Sequence, residues 1–342
     1  MIPCIALDAM SGDYGPSVVV PAALQVLAKQ PNLQLILVGD EVALTQSTRQ
    51  QPVAIIQRLS ICHASQLVEM NELVSHALRN KKDSSMRVAI NLVKEGKAHA
   101  CVSAGNTGAL MAMARYVLKT LPGIDRPAIT TPLPNMKGGA TYLLDLGANI
   151  DTRAEHLLQF AVMGTVLANA LDNIPNPRVG LLNIGQEEMK GNEKVKEAAR
   201  LLAASPLNYC GFVEGDDIYK GTVDVVVCDG FVGNVALKSA EGVAQMISYY
   251  VKQGFNRNFL TRLAALISMP ILNDLRKKID PRRYNGASLL GLRGIVVKSH
   301  GGADILAFVH AIERAIAEVE KNVPVQISSQ LADLLNEKKQ VG

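Results

Sequence analysis

One glycine-rich turn near the middle of the chain has the composition of an anion-binding loop. The turn Ser103–Gly108 follows the short apolar run Cys101–Val102 and precedes a helical pattern over Ala109–Leu118. At a helix start, backbone N–H groups without intrahelical partners and the positive end of the helix dipole attract anions such as phosphate. Gly105 and Gly108 let a ligand approach the backbone closely. We therefore predict an anion site here, with an ordinary capped turn as the alternative.

Three further loops carry polar side chains directly after apolar, strand-like runs. These side chains are Asp8 and Asp13 in the first loop, Asp145 and Asn149 in the second, and Asp229 and Asn234 in the third. Because open α/β sheets bind ligands beyond the carboxyl ends of their strands, we predict that these loops converge on one site. For the second loop, the cap of the following helix is an equally good interpretation.

Two ionisable side chains follow other strand-like runs. Lys190 lies in the glycine-bounded loop Gly185–Asn192, and His300 precedes Gly301. A lysine in such a loop can stabilise negative charge that develops during a reaction. A solvated surface lysine and a structural histidine are the alternatives that this pattern leaves open.

The motifs of several common enzyme classes are absent from the sequence. No Gly-x-Gly-x-x-Gly follows the first strand, and neither a Gly-x-x-x-x-Gly-Lys-Ser/Thr loop nor a Gly-x-Ser-x-Gly elbow occurs. The spacing of His, Cys and carboxylates indicates no metal site, and we expect no cofactor. The loops can hold an anion and stabilise charge, but they supply no evident protein nucleophile. This combination indicates a transfer reaction in which the bound anion itself attacks.

The loops separate strand-like and helical segments that alternate along the chain. Predicted strands are Cys4–Met10, Leu33–Val38, Val53–Ile56, Leu59–Cys62, Ala128–Leu133, Thr141–Leu146, Val179–Ile184, Asn208–Val213, Val223–Cys228 and Gly291–His300. Predicted helices are Ser17–Lys29, Asn71–Arg79, Ser84–Lys94, Arg153–Leu171, Ala303–Lys321 and Val325–Lys339. Such alternation is typical of a parallel sheet covered by helices on both faces, a three-layer αβα fold.

Length and composition favour one large α/β catalytic domain over residues 1–342. Of the 342 residues, 48% are hydrophobic and 19% charged, which suits a globular enzyme. The five cysteines form no Cys-x-x-Cys pair, the N-terminus does not resemble a signal peptide, and no apolar run reaches the roughly 18 residues of a membrane span. We therefore expect a cytoplasmic protein with reduced thiols and no nucleic-acid partner.

The segment 252–283 differs from the alternating units and is predicted to be a helical hairpin broken at Pro270. It contains eight Lys or Arg residues against two Asp, so the basic excess is local. The residues predicted to contact a membrane are Phe259, Leu263, Leu266, Ile267 and Met269. An apolar tip with basic flanks fits an anionic membrane surface, and dimerisation or core packing is a compatible alternative. A second basic run, Arg79–Ser85, is typical of a solvated turn.

Six blocks of the sequence together resemble the bacterial acyl-acyl-carrier-protein:phosphate acyltransferases. The blocks are Ala6–Pro16, Val102–Ala109, Leu144–Asn149, Asn183–Glu188 with Lys190–Gly191, Cys228–Asn234 and Asn285–Leu292. The resemblance covers nearly the whole chain, although Ser11 stands where the family usually has a glycine. It implies the synthesis of acyl phosphate from inorganic phosphate and an acyl-carrier-protein thioester, at the start of phospholipid synthesis.

The same resemblance implies a fold like that of isocitrate and isopropylmalate dehydrogenases, a homodimer, and peripheral membrane association. It also implies delivery of acyl phosphate to a membrane glycerol-3-phosphate acyltransferase. By this match, Lys190 stabilises phosphate and the developing oxyanion, and Asn234 is a hydrogen-bond partner at the reacting centre. Residues implied to line the pocket are Asp8, Gly12, Asp13, Ser103, Gly105, Asn106, Thr107, Gly108, Asp145, Asn149, Asp229 and His300. Basic residues that could serve an acidic carrier protein or lipid are Lys252, Arg257 and Arg276–Lys278.

Overall fold

A computed structural model describes residues 2–341 of the chain. The side chains of Arg276, Lys277, Ile279, Pro281 and residues 334–341 lie outside the described part, and with them two of the basic residues predicted to serve a carrier or lipid.

All the strands of the described chain belong to one mixed sheet of eleven strands. They are β1 Cys4–Asp8, β2 Gln34–Gly39, β3 Leu59–His63, β4 Ala100–Ser103, β5 Ala128–Pro134, β6 Ala140–Leu144, β7 Val179–Leu182, β8 Tyr209–Val213, β9 Val225–Val227, β10 Ala287–Leu290 and β11 Ile295–Lys298. Their order across the sheet is β3-β2-β1-β4-β11-β10-β5-β6-β9-β7-β8. Segments from both ends of the sequence therefore meet in the middle of the sheet.

The helices cover both faces of this sheet. They are α1 Pro16–Lys29, α2 Glu41–Thr48, α3 Val53–Ile56, α4 Val74–Asn80, α5 Ser85–Lys94, α6 Thr107–Leu118, α7 Ala154–Asp172, α8 Glu193–Ala203, α9 Asp217–Lys220, α10 Gly230–Phe255, α11 Phe259–Ile279, α12 Ile305–Glu320 and α13 Val323–Val341, with a 3₁₀ turn at Pro281–Tyr284. On one face of β1, β4 and β11, α1 and α12 bury the apolar core, and α5 and α6 do so on the other face. A third apolar cluster joins α7 and α13 to the β6, β7 and β9 strands.

The sheet is not uniformly parallel, contrary to the prediction from strand and helix alternation. β1, β4 and β11 run parallel to one another, but β10 is antiparallel to both β11 and β5, and β5 is antiparallel to β6. The strands β6, β7, β8 and β9 therefore run opposite to β1, β4 and β11. The sequence gives no sign of β10, whose four residues pair with strands from two distant segments.

Two local predictions were wrong, and both concern segments that contain or follow a proline. Val53–Ile56 forms α3 instead of a strand, because Pro52 begins a turn in which the amides of Ile55 and Ile56 donate to its carbonyl over 2.9 and 3.1 Å. Pro270 does not break the second hairpin helix, which continues through it from Phe259 to Ile279. The hairpin instead turns at Asn256–Asn258, where Asn258 caps α11 by accepting a hydrogen bond from the Thr261 amide at 2.9 Å.

Candidate active site

Three polar side chains end three neighbouring parallel strands on the face that α6 covers. Asp8, Ser103 and Lys298 are the last residues of β1, β4 and β11, and Ser103 and Lys298 are paired in register. Ser103 Oγ donates a hydrogen bond of 2.5 Å to Asp8 Oδ2. We call these three side chains, with the loops that follow them, the first polar group. The first polar group therefore places polar side chains at the ends of three strands, next to the apolar core.

Lys298 brings a cation into the interior, since its residue surface is only 8% exposed. Its Nζ donates to the carbonyl of Ala104 at 3.1 Å and to that of Ser299. Burial lowers the pKa of Lys298 to about 8, and the nearby carboxylates of Asp8 and Asp13 oppose this shift. The ammonium group therefore loses its proton far more readily than a surface lysine does.

The loop after β1 packs closely against two other loops of the first polar group. Gly12 adopts φ +88°, and a β-carbon there would come within 2.8 Å of the Ala104 methyl group. The Asp13 amide donates to the Gly301 carbonyl over 2.9 Å. A glycine at position 12 is thus required both by backbone conformation and by space.

Two buried oxygens of this group have no hydrogen-bond partner among residues 2–341. They are Asp8 Oδ1 and Ser11 Oγ, on residues that are 0% and 2% exposed. A buried polar atom without a partner is costly, so these atoms mark where a polar ligand would gain most. Ser11 does not adopt a positive φ, and so the serine replaces the family's glycine without backbone strain.

The Ser103–Gly108 turn opens on α6 as predicted, and its side chains hold the turn together. Asn106 caps the helix by accepting from the Ala109 amide at 3.0 Å, and its Nδ2 donates to the carbonyls of Met70 and Glu72 at 2.8 and 3.2 Å. The amides of the exposed Thr107 and Gly108 belong to the first helical turn, which has no intrahelical acceptors. Backbone groups, more than side chains, are what this turn offers to an anion.

His300 lies in the same group but its ring serves the backbone. Nδ1 accepts a hydrogen bond from the Gly302 amide at 3.1 Å, and the His300 amide donates to Asn285 Oδ1 at 2.9 Å. Asn285 Nδ2 in turn donates to Ser299 Oγ at 2.8 Å and to the Ala307 carbonyl at 2.7 Å. His300 and Asn285 together fix the loop after β11.

A second polar group lies beyond the ends of β6, β7 and β9. Asp145 is buried, and its carboxylate accepts hydrogen bonds from the amides of Ile129, Ala148 and Asn149 at 2.9, 3.1 and 2.7 Å, and from Asn149 Nδ2 at 2.9 Å. Burial raises the pKa of Asp145, and these donors act in the opposite direction. The Asp145 carboxylate and the Asn149 amide nitrogen therefore hold their own loop in place.

The N-terminus of α10 packs directly on this loop. Asp229 caps the helix by accepting from the Val232 amide at 2.9 Å and forms an ion pair of 2.8 Å with Lys194. A β-carbon on Gly233 would lie only 1.9 Å from the Asp145 carbonyl oxygen. The glycine therefore lets the helix approach far closer than any other residue would.

Asn234 and Lys190 extend the second polar group towards solvent. The Asn234 side chain lies 3.6 Å from the position that a β-carbon on Gly147 would take, which places it over the Asp145–Asn149 loop. Lys190 is exposed, its aliphatic stem lies against Gly185, and it forms no ion pair within residues 2–341. The unpaired lysine lies in the loop after β7, and the helical amide lies over the loop after β6.

The helix α10 begins in the second polar group and brings one charge near the first. Asn234 and Lys238 are one turn apart on one face of α10, a rise of about 6 Å. Lys238 comes close enough to Lys298 for its charge to lower the pKa of that lysine. We take the space between the groups, along this face of α10, as the candidate active site.

Comparisons with known proteins give similar sequences over nearly the whole chain. The family of fatty acid synthesis proteins matches residues 4–326. A phosphate acyltransferase from Nitrosococcus oceani is 63% identical over 333 residues, which cover 97% of this chain and 98% of that protein. A phosphate acyltransferase from Legionella pneumophila is 59% identical over 334 residues, 97% of each chain.

The chain belongs to the phosphate acyltransferase family. As a member of the phosphate acyltransferase family it is an acyltransferase enzyme, and its reaction is an acyl transfer that involves phosphate.

Solved structures show how the phosphate acyltransferase chain folds. A phosphotransacetylase from Streptococcus pyogenes matches with TM-score 0.64 and 18% identity over 93% of this chain and 94% of that one. A branched-chain phosphotransacylase from Enterococcus faecalis gives TM-score 0.57 at 14% identity, over 93% and 99%. A 4-hydroxythreonine-4-phosphate dehydrogenase from Klebsiella pneumoniae gives 0.51 at 13%, over 93% and 100%. The predicted dehydrogenase-like three-layer α/β fold is confirmed.

Two lysines of this phosphate acyltransferase site, Lys238 and Lys298, were missed by the sequence analysis. The signal for Lys298 is one lysine at the end of the otherwise apolar run Ile295–Val297, directly before Ser-His-Gly. A lysine at the end of a buried strand is unusual, since lysine is rarely fully buried without a partner. Lys238 carries no such signal, because a lysine in a helix is ordinary.

Proposed function

We propose that this acyltransferase moves a long-chain acyl group from an acyl-carrier-protein thioester to inorganic phosphate. The products are acyl phosphate and free carrier protein, as the first step towards phosphatidic acid and phospholipids. The name of the relatives, phosphate acyltransferase, supports the use of phosphate, and the resemblance described in the sequence analysis supports the carrier and the pathway.

One observation carries the proposed mechanism: Ser103 and the thiols of Cys101 and Cys228 are buried, and the exposed hydroxyl at the start of α6 is that of Thr107. Ser103, Cys101 and Cys228 are all at most 4% exposed. Burial also raises the pKa of both thiols far above the ordinary range, so they remain protonated at neutral pH. We propose that the attacking group is phosphate itself, because it is already anionic at neutral pH.

The chemistry then needs only positioning and charge stabilisation. A phosphate oxygen attacks the thioester carbonyl carbon, the new C–O bond forms, and the C–S bond breaks to release a thiolate. The thiolate takes a proton from water, and its ordinary pKa near 8.5 makes it a far better leaving group than an alkoxide. No acyl-enzyme intermediate is required.

In this proposal each polar group has its own task. Phosphate lies against the backbone amides at the start of α6, where the helix dipole favours an anion. Lys190 stabilises the carbonyl oxygen as it becomes negative, and Asn234 donates a hydrogen bond at the reacting centre. The exposed Lys190, without a carboxylate partner within residues 2–341, is free to approach the substrate.

The α10–α11 hairpin fits peripheral attachment to a membrane surface, where a glycerol-3-phosphate acyltransferase would receive the acyl phosphate. The predicted contact residues Phe259, Leu263, Leu266, Ile267 and Met269 are between 42% and 78% exposed. None of the helices in residues 2–341 has the length and apolar character that crossing a bilayer requires. Further exposed apolar residues on α10, such as Val243 and Ile247, are suited to the homodimer contact that the resemblance implies.

The decisive experiment measures phosphate-dependent release of carrier-protein thiol from palmitoyl-acyl carrier protein, with hydroxylamine trapping of the acyl phosphate. We expect thiol release and a trapped product for the wild type, and a loss of turnover of about 10²-fold or more in Lys190→Ala. Lys196→Ala is the matched control, because Lys196 is a nearby lysine that already pairs with Glu193 at 3.4 Å.

Three outcomes would contradict the proposal. Thiol release without phosphate would indicate a thioesterase. Turnover of acetyl-coenzyme A with none of the carrier-protein thioester would indicate an enzyme of the phosphotransacetylase type. Unchanged activity in Lys190→Ala would remove that lysine from the reaction.

A further inference from the structure

An exposed tyrosine between two cations lies at the end of α6 that is remote from the candidate active site. The Tyr116 ring is on a residue that is 57% exposed. Arg87 Cζ lies 5.0 Å and Lys119 Nζ 4.9 Å from its centroid. Both distances are in the range of cation–π contacts. The ring therefore holds two positive charges in place at the surface.

The surroundings of Tyr116 add further positive charge. A shallow cavity of about 500 Å³ is lined by Arg115, Tyr116 and Lys119 together with Leu78, Ala112 and Thr120. Arg293 is fixed at its rim, since its Nε donates to the Thr120 carbonyl at 3.0 Å. Within residues 2–341, no carboxylate pairs with Arg87, Arg115 or Lys119. We call Arg87, Arg115, Tyr116, Lys119 and Arg293 the Tyr116 patch.

The helix α6 connects this patch to the candidate active site. Its 12 residues span about 18 Å, from the Asn106 cap in the first polar group to Lys119 in the patch. Gly108, Ala112 and Arg115 lie along one face at helical spacing, and Gly108 and Ala112 carry no long side chain. Val74 of α4 packs against Gly108, so α6 gives the distance between the patch and its own N-terminus but no open groove along Gly108.

We propose that the Tyr116 patch is the docking surface for an acidic protein that carries the acyl thioester on a flexible arm. The inference rests on the proposed function for the carrier, and it adds where the carrier binds. Unpaired cations around an aromatic ring complement an acidic surface. The 18 Å between the patch and the start of α6 sets the reach that the arm needs.

The test compares two thioester substrates in the double variant Arg115→Glu/Lys119→Glu. The probes are palmitoyl-acyl carrier protein and palmitoyl-pantetheine, a small thioester without a protein surface. We expect the KM for the carrier-bound substrate to rise about tenfold or more, because two attractive contacts become repulsive. The kcat, the KM for phosphate and the activity with palmitoyl-pantetheine stay unchanged. For the wild type, the KM for carrier protein rises with salt.

The matched control is Lys252→Glu/Arg257→Glu on the hairpin, which also reverses two exposed basic residues. An equal rise in KM in this control, with none in the patch variant, would place the carrier on the hairpin and overturn the proposal. Loss of binding to vesicles of phosphatidylglycerol by the patch variant, with carrier kinetics intact, would identify the patch as a lipid surface instead. Wild-type turnover of palmitoyl-pantetheine without any of the carrier substrate would reject the carrier itself. Equal loss with both thioesters would also overturn the proposal, because the patch would then affect the reaction and not the binding of the carrier.

Discussion

Lys190 and Lys298 show how differently one residue type is used in this site. Lys190 is exposed, and the glycine-bounded loop around it made it visible in the sequence as a candidate. Lys298 is buried, and its ammonium group donates to two backbone carbonyls. In the sequence, the only indication of this burial is its position at the end of an apolar strand. Residue types and loop positions can be read from the sequence. The burial of Lys298 cannot, because it depends on β1, β4 and β11, which come from distant segments of the chain. The buried ammonium group of Lys298 was therefore not predicted.

The buried ammonium group of Lys298 makes stability depend on pH in a defined direction. Its pKa falls from 10.5 to about 8 on folding. The unfolded chain therefore binds more protons than the folded one between these pH values, and stability rises with pH across that window. We expect the wild type to gain about 3 kcal/mol in free energy of unfolding relative to Lys298→Met between pH 8 and 10.5.

Urea unfolding of both proteins at a series of pH values measures this gain. Groups common to both chains cancel in the difference, so Lys298 alone contributes. A difference that stays constant from pH 7 to 10.5 would show that Lys298 keeps its proton in the folded chain across this range, so that burial does not lower its pKa.

At the scale of elements, the helix starts were predictable and the sheet was not. Ser84 accepts from the Arg87 amide at 3.3 Å and begins α5 at Ser85, as its capping sequence predicts. All the residues that form such a helix cap lie within four positions of one another, so the cap can be recognised from a short stretch of sequence. The reversal of strand direction depends on β10, which pairs with β5 across more than 150 residues of sequence. No local pattern carries that information.

The glycines of α10 give a matched test of how closely this helix packs. A β-carbon on Gly233 would overlap the Asp145 carbonyl, whereas a β-carbon on Gly242 would meet no atom within 4 Å. We expect Gly233→Ala to lower the free energy of unfolding by about 1–3 kcal/mol through overpacking. Gly242→Ala should raise it by about 0.5–1 kcal/mol, because alanine favours the helix.

Thermal or urea unfolding of the two variants provides the measurement. Equal effects of the two substitutions would mean that α10 does not rest on the Asp145 loop as the structure has it.

At the scale of the whole molecule, the α10–α11 hairpin leaves a large apolar surface uncovered. No residue of α11 with a described side chain is buried, and α10 buries only Gly230 and Gly233. The sequence predicted a hairpin in this region from its apolar spacing and basic excess. It placed the break wrongly, because a proline within a helix can be tolerated where the chain is not packed on both sides.

The proposed contact of the hairpin with a membrane is tested by replacing Leu263, Leu266 and Ile267 with serine. These residues are 47%, 65% and 76% exposed, so we expect the fold to remain intact. Each side chain contributes on the order of 1.5–3 kcal/mol when fully buried in an apolar phase, so vesicle binding should fall by about 10²-fold or more. Co-sedimentation with phosphatidylglycerol vesicles measures binding, and circular dichroism confirms folding.

Val42→Ser/Val53→Ser removes comparably exposed apolar side chains from α2 and α3 and serves as the control. Retained binding in the hairpin variant would assign the hairpin to subunit contact instead of lipid.

Because α10 is long and unbroken, a movement at one of its ends is transmitted to the other. Its 26 residues span about 39 Å, and Asn234 lies near the inner end while Tyr250 lies near the outer end. A rotation of about 5° around Gly233 would move the outer end by roughly 3 Å along an arm of this length. Whatever holds the hairpin therefore restricts the orientation of Asn234, and a substrate that fixes Asn234 restricts the hairpin to the same extent. Binding at the outer end of the hairpin and substrate binding at Asn234 are therefore thermodynamically linked through the helix α10.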